Sequence, residues 1–255
     1  MAKLLTKTGL QKYRLAANLK NSFNVADLLE EQYLKLFIAN LADSIGAPNE
    51  KAAASIFIKR YAFVAVLSLY AMSVWNKKIN VSLSNIEMES PEKGNDWLPS
   101  FLLMDEKEQD WNGNARAEWR KDIINELFAK NIFPIIDKLE KTFGISKLIL
   151  WENIAVYIFW LYESELKDSK NSSVQSDFRY LIFEAEGALF GRYKGNPLQK
   201  YYAEKIDNVR MRKTCCFSYQ LAAGKRCKTC PCLQITKDGR CQDGESICST
   251  IRSLA

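Results

Sequence analysis

Tyr61-Ala-Phe-Val-Ala-Val-Leu-Ser-Leu-Tyr-Ala-Met-Ser-Val-Trp75 is the most apolar run of the chain, and it follows directly on Lys59 and Arg60. Whether it spans a membrane or lies in a core decides the class of fold. Its fifteen residues fall short of the ~20 that cross a bilayer as a helix, so it is read as a buried core helix. Upstream, Gly46-Ala-Pro48 breaks the chain, and Pro48 opens the helix that passes Ala53, Phe57, Tyr61, Val64 and Leu67 to about Trp75. Before that break, Asn24 can cap a helix from Val25 to about Asp43, with Leu28, Leu29, Tyr33, Leu34, Phe37 and Leu41 on one face.

Downstream, residues Asn80 to Glu87 alternate (Val81, Leu83, then Ile86 and Met88 beyond a break at Asn85). This predicts a short strand, with a second from Trp97 to Met104 and a turn at Pro91–Asp96 between them. Helical spacing resumes near Asn114 and runs past Trp119, Ile123, Leu127 and Ile132. Pro134 should kink or split that helix and Gly144 should end it. Ser146 caps a helix from Lys147 to about Leu166 that is apolar almost all round (Ile149, Leu150, Trp151, Ile154, Val156, Ile158, Phe159, Trp160), hence central. After a polar loop at Lys167–Ser173, a last helix is expected from about Val174 to Phe190, then a turn from Gly191 to Pro197. The body is therefore mainly α with a small β-hairpin or sheet, and the six tryptophans (75, 97, 111, 119, 151, 160) are read chiefly as core.

Across 255 residues the chain is 47% hydrophobic and 26% charged, as in an ordinary globular protein. It contains no histidine. That excludes Ser-His-Asp and Cys-His catalysis, HExxH zinc sites, Rieske centres and His-ligated haem. Met1 to Asn21 is basic and mildly amphipathic, without the continuous apolar stretch of a secretory signal, so a cytoplasmic location is expected.

All seven cysteines lie in the last forty-one residues, beyond about Ile206, where hydrophobic periodicity disappears and Cys, Lys, Arg and Gly take over. Residues 200–240 hold ten Lys/Arg against three Asp/Glu, a local charge of +7 in a chain whose total is +6. Structural disulfides do not suit a reducing compartment, so the cluster is read as metal-binding. Cys215-Cys216, a gap of ten, then Cys227-x-x-Cys230 supplies four thiolates, the number for a tetrahedral zinc or an iron–sulfur cluster. The Cys-x-x-Cys turn is a chelate loop. The adjacent pair is less usual, because neighbouring side chains diverge in regular structure. Two adjacent ligands need a bent backbone, which a two-iron centre accommodates more readily than one zinc ion.

With Arg212-Lys213-Thr214 before the pair and the Asn196-Pro197-Leu198 turn upstream, this C-terminal motif resembles the FhuF-type siderophore-iron reductases. The resemblance implies a cytoplasmic ferric siderophore reductase with a [2Fe–2S] cluster on Cys215, Cys216, Cys227 and Cys230. The implied substrate is Fe(III) held by a hydroxamate or citrate-hydroxamate siderophore, and the implied electron donor is a ferredoxin or flavin reductase. No nucleic acid and no stable membrane insertion are expected. It also implies a helical siderophore-binding domain over 1–206 and a cysteine-rich [2Fe–2S] module over 207–255. The related siderophore synthetases share the helical region without the cysteines. Cys232, Cys241 and Cys248 depart from the family motif; they are read first as unliganded thiols, against the alternatives that Cys232 competes for the metal and that Cys241 and Cys248 hold a second metal or are redox-active. The competing reading is a zinc-binding nucleic-acid module that uses the same four cysteines and the basic stretch 200–240, with Phe217 and Tyr219 stacking on bases.

Overall fold

The computed structural model describes residues 9–91, 97–222, 224 and 226–231. Cys232, Cys241, Cys248 and the turn expected at Pro91–Asp96, beyond Pro91 itself, lie outside the described residues.

The apolar run at 61–75 belongs to a longer rod, Glu50–Trp75, which divides at Ala62 into α2 (Glu50–Tyr61) and α3 (Phe63–Trp75). The rod is long and apolar enough to cross a bilayer by length alone, yet 89% of its most apolar stretch is buried within the protein. The helix before it, α1 (Glu31–Ile45), ends at Gly46, whose φ of +59° makes a left-handed cap. Gly46 is also a contact point. A Cβ there would lie 2.5 Å from the Cβ of Ala222, so the absent side chain lets the cysteine-bearing loop approach.

The helix expected from Val25 begins later than its pattern suggests. Asn24 does cap, accepting the Ala26 N–H at 3.1 Å, but only a 3₁₀ turn, Val25–Leu29, follows. Glu30 is extended there and recaps α1 by accepting the Tyr33 N–H at 2.8 Å. Asn49 caps α2 by accepting the Ala52 N–H at 3.0 Å.

Helix α4 (Arg116–Leu127) continues through the π turn Phe128–Ile132 into α5 (Phe133–Phe143), which ends at left-handed Gly144. Pro134 does not break this rod. The wider turn, in which the Phe133 N–H reaches the Phe128 carbonyl, comes directly before a residue that lacks the N–H for a regular helix. Helix α6 (Lys147–Trp160), capped by Ser146, buries nine of its fourteen residues and packs along α2, as its all-round apolarity required. Its own π turn, Leu161–Glu165, follows. Helix α7 (Ser172–Arg179) passes through the π turn Tyr180–Glu184, and a separate 3₁₀ turn, Gly187–Phe190, takes the place of the last expected helical turn.

The strand expected over 80–87 is shorter and shifted. Strand β3 is Ile86–Glu89, and Leu83–Asn85 is a 3₁₀ turn. Buried Asn85 causes the break. Its side chain donates to the Asn80 carbonyl at 2.8 Å and accepts the Asp105 N–H at 2.7 Å, holding the turn closed. The second strand contracts to β4 (Ser100–Leu103), paired with β3 through Ile86↔Leu103 and Met88↔Phe101. A third antiparallel strand, β1 (Ser22–Asn24), covers the other edge of β3. A separate two-stranded ribbon pairs β2 (Lys77–Ile79) with β5 (Glu108–Asp110). Three-residue strands carry no periodicity, which is why β1, β2 and β5 escape a pattern reading.

Candidate metal centre

From Tyr202 the chain runs in irregular conformation along α6 and back over α2. Arg210 fixes its approach. The guanidinium grips both oxygens of Glu163 at 2.6 and 2.8 Å and donates to the Ala203 carbonyl at 2.7 Å. It also lies over the rings of Phe159 and Tyr202. Glu163 stands on the π turn that ends α6.

Two residues later α6 supplies a second clamp. Glu152 is 2% exposed and Arg212 5% exposed. One Glu152 oxygen accepts the Lys213 N–H at 2.6 Å; the other accepts the Thr214 N–H at 2.7 Å as well as the Thr214 hydroxyl. Arg212 sits 3.5 Å from the same carboxylate and donates to Asn153 at 2.7 Å. The amide of Asn153 in turn reaches Ser55 of α2, whose hydroxyl donates to the Cys216 carbonyl at 3.0 Å. Buried charges are tolerated when paired and hydrogen-bonded on all sides, and here the pairing holds the residues just before the cysteines against two core helices.

The two halves of the motif meet through the backbone. The Arg212 N–H donates to the Thr229 carbonyl at 2.9 Å, and the Cys230 N–H closes the Cys-x-x-Cys turn on the Cys227 carbonyl at 3.0 Å. Phe217 adopts φ +61° immediately after the adjacent pair. That is uncommon for a bulky residue, and it brings the Phe217 N–H to 3.4 Å from the Cys215 sulfur. The bent backbone expected of adjacent ligands is present.

Cys215, Cys216 and Cys230 are buried and Cys227 is partly exposed, and no disulfide joins any two of the four. The Cys216 and Cys227 side chains are hydrogen-bonded to each other. That bond, working against burial, holds the Cys216 thiol well below its ordinary range, with Lys59 and Arg212 adding to the effect. The same bond, together with burial, pushes Cys227 up. Among the described residues no three Cys, Asp or Glu side chains are grouped tightly enough for one metal ion.

The donors around the sulfurs suit an anionic, sulfur-rich centre. Lys59 Nζ lies 3.7 Å from Cys216 Sγ, Ser218 Oγ 3.1 Å from the same sulfur, and Thr229 Oγ1 3.6 Å from Cys227 Sγ. Hydrogen bonds and cations at the sulfurs are how proteins stabilise such clusters and set their potentials. A binuclear centre takes two thiolates per iron, so it does not require all four sulfurs at one point.

The sequence reading missed Ser55, Lys59, Glu152 and Asn153. Glu152-Asn153 had a visible signal, since two polar residues inside a helix apolar all round must be buried and need partners. Ser55 and Lys59 had none, lying about 160 residues from the cysteines they serve.

The comparisons with known proteins cover both the helical body and the cysteine segment. Residues 55–212 match the family described as ferric iron reductase FhuF-like transporter, and residues 212–231 match the FhuF 2Fe-2S C-terminal domain. Over 117 residues the chain is 27% identical to the ferric siderophore reductase of Escherichia coli (strain K12), an overlap of 46% of this chain and 43% of that protein. The chain thus matches less than half the length of this curated relative. The fold resembles the ATP-bound aerobactin synthetase IucA of Klebsiella pneumoniae, with a TM-score of 0.50 and 16% identity over 69% of this chain and 36% of that one. The first family match alone spans more than half of the sequence, and the second covers Arg212 through the Cys-x-x-Cys turn: the chain belongs to the FhuF family and carries its [2Fe–2S] C-terminal domain.

Proposed function

We propose that this protein is a cytoplasmic ferric siderophore reductase, with Cys215, Cys216, Cys227 and Cys230 holding the [2Fe–2S] cluster. The observation that carries the reading is the polar collar around the thiols: Lys59 and the Phe217 N–H donate to the sulfurs of Cys216 and Cys215, and the hydroxyls of Ser218 and Thr229 are hydrogen-bonded to those of Cys216 and Cys227. When bound, the cluster supplies electrons one at a time. The four thiolates hold it. Lys59 offsets the negative charge that grows on reduction, and so favours the reduced form. Glu152, Asn153 and Ser55 keep the ligand-bearing backbone in place.

The substrate chemistry needs little else. Hydroxamate and citrate-hydroxamate siderophores hold Fe(III) through hard anionic oxygens, and the same donors hold Fe(II) far more weakly. One electron therefore loosens the iron, with no histidine, nucleophile or acid–base pair. A one-electron donor such as a ferredoxin or a flavin reductase would supply the electron for each further turnover. Four cysteines with no disulfide among them suit a reducing compartment, and the burial of the Glu50–Trp75 rod supports a chain not inserted in a membrane.

The test is anaerobic purification with iron and labile-sulfide analysis and an electron paramagnetic resonance spectrum of the dithionite-treated protein. Rapid mixing of that reduced protein with a ferric hydroxamate complex follows. Two irons and two sulfides per chain, with reoxidation well above the buffer rate, are expected. Protein that holds neither iron nor sulfide overturns the cluster; protein that holds the cluster but is not reoxidised by the complex is an electron carrier or sensor and not a reductase.

A further inference from the structure

A cleft of about 570 Å³ lies between α6 with its π turn, the irregular segment 205–212, and the Cys-x-x-Cys turn. That volume falls within the ~300–1,000 Å³ of small-molecule sites. Helix α6 contributes Phe159 and Trp160, and the indole of Trp160 is 36% exposed at the helix end. Segment 205–212 contributes Lys205 and Arg210. Lys228 and Thr229, the two residues between Cys227 and Cys230, complete the lining that matters here, and the Thr229 hydroxyl is hydrogen-bonded to the Cys227 sulfur. A ligand in this cleft lies against the turn that carries half of the sulfur ligands.

The charge of the lining is one-sided. Its two carboxylates, Glu152 and Glu163, are already engaged by Arg212, Arg210 and Lys205. With Lys228, four cations face two anions, a surplus of two positive charges. The exposed indole beside them offers a flat apolar surface for the hydrocarbon arms of a ligand. An uncharged ligand uses only that surface, whereas an anionic one also uses the surplus charge.

We infer that this cleft binds the ferric siderophore and favours complexes of net negative charge, such as a citrate dihydroxamate, over uncharged trihydroxamates. Trp160 packs on the ligand backbone, and Lys228 and Lys205 face its carboxylates. The inference rests on the reductase reading and goes beyond it in naming the site and the charge class.

The experiment separates the two. Gallium(III) replaces Fe(III) with the same charge and cannot be reduced, so binding is measured without turnover. The holoprotein is titrated calorimetrically with the gallium complex of a citrate dihydroxamate and with that of an uncharged cyclic trihydroxamate peptide. The wild type is expected to bind the anionic complex roughly five- to tenfold more tightly. Lys228→Glu should erase that preference while changing the uncharged complex less than about twofold, and Trp160→Ala should weaken both by about tenfold.

Trp160→Ala lies outside the cysteine turn and keeps the test decisive if Lys228→Glu disturbs the visible spectrum of the centre. Wild-type binding of neither complex, or unchanged binding by both variants, overturns the site. So does a Lys228→Glu variant that binds both complexes normally but is reduced more slowly by a reduced ferredoxin, since the cleft is then a donor dock. If the variants bind as the wild type does and still reduce both ferric complexes, the cleft is lost and the reductase stands. If the wild type reduces neither, the reductase reading fails whatever the gallium complexes do.

Discussion

Helix α2 buries eight of its twelve residues, seven of them apolar, and α6 buries nine of fourteen. The segment that carries the cysteines is anchored differently. Arg210 grips Glu163, Arg212 and the amides of Lys213 and Thr214 close on Glu152 and Asn153, and Ser55 takes the Cys216 carbonyl. The apolar body gains about 25 cal/mol per Å² of surface withdrawn from water, whatever the orientation of that surface. Hydrogen bonds are directional within narrow limits of length and angle. A sulfur ligand must be aimed, so burial is suited to building the platform and directed polar contacts to mounting the loop on it. The helices should then stand without the cluster, whereas the loop should not keep its arrangement without the helices.

The sharpest way to break that contrast is to remove the ligands. Serine at Cys215, Cys216, Cys227 or Cys230 is expected to abolish or severely reduce the visible absorbance and lower iron below two per chain, while the far-ultraviolet helical signal is retained. Collapse of the helical signal together with the colour would mean that the platform depends on the cluster. Serine at Cys232, Cys241 or Cys248 should change neither measurement. If Cys232→Ser bleaches the protein and Cys230→Ser does not, the ligand set is different from the one proposed.

Next in size is the clamp. Glu152→Ala strands Arg212 at 5% exposure beside two backbone N–H groups that lose their acceptor. Breaking a buried pair in this way costs about 3–5 kcal/mol, and each 1.4 kcal/mol is about tenfold. Iron loss to a chelator should accelerate by roughly a hundredfold or more, with the cluster still formed on reconstitution. Glu152→Gln, which keeps one acceptor oxygen, should fall between the two. Equal chelator rates in all three proteins would show that the clamp does not hold the loop.

The difference between the regions also explains what could be read from sequence. The helical rods were legible because burial writes itself into spacing. Phe57, Tyr61 and Val64, or Ile149 through Trp160, announce their own environment, and Gly144 by its left-handed backbone and Ser146 by its capping hydroxyl mark ends through local chemistry. The four cysteines were legible because their spacing is local. What failed was local competition and distance. Asn24 does cap, but Glu30 recaps six residues later, and Asn85 folds a strand pattern into a turn through its own side chain. The partners of the metal loop were hidden because a directed contact needs only one residue on each side and leaves no period. Lys59 reads as the charged edge of an apolar run, and only the fold places it beside Cys216.

Lys59 gives the next, smaller effect. Its ammonium is 3.7 Å from Cys216 Sγ and its position is only half-buried. A cation there favours the more negative, reduced state, so Lys59→Met should lower the midpoint potential. The expected shift is on the order of 30–60 mV, where 59 mV is tenfold for one electron. Iron content should be unchanged. An unshifted potential measured by optical redox titration would assign Lys59 to packing against Ser218 instead.

The smallest effect comes from Glu163, which tethers the segment far from the sulfurs. Burial alone would raise its carboxyl, but the hydrogen bonds and charges of Arg210 and Lys205 outweigh that and hold it below the usual 4.5. A carboxylate whose folded value is depressed contributes stability that is fully present above its unfolded value and is lost as pH falls through the folded one. Between about pH 5 and the lowered value, wild-type protein should therefore release iron progressively faster to a chelator. The Glu163→Gln variant, already without the charge, should begin at the faster rate and lack this component of the slope. Because this tether acts on residues 203–210, some distance in sequence from Cys215, the change should be well under that of Glu152→Ala. An equal change would mean that the approach of the segment, and not only its final clamp, sets the position of the cysteines.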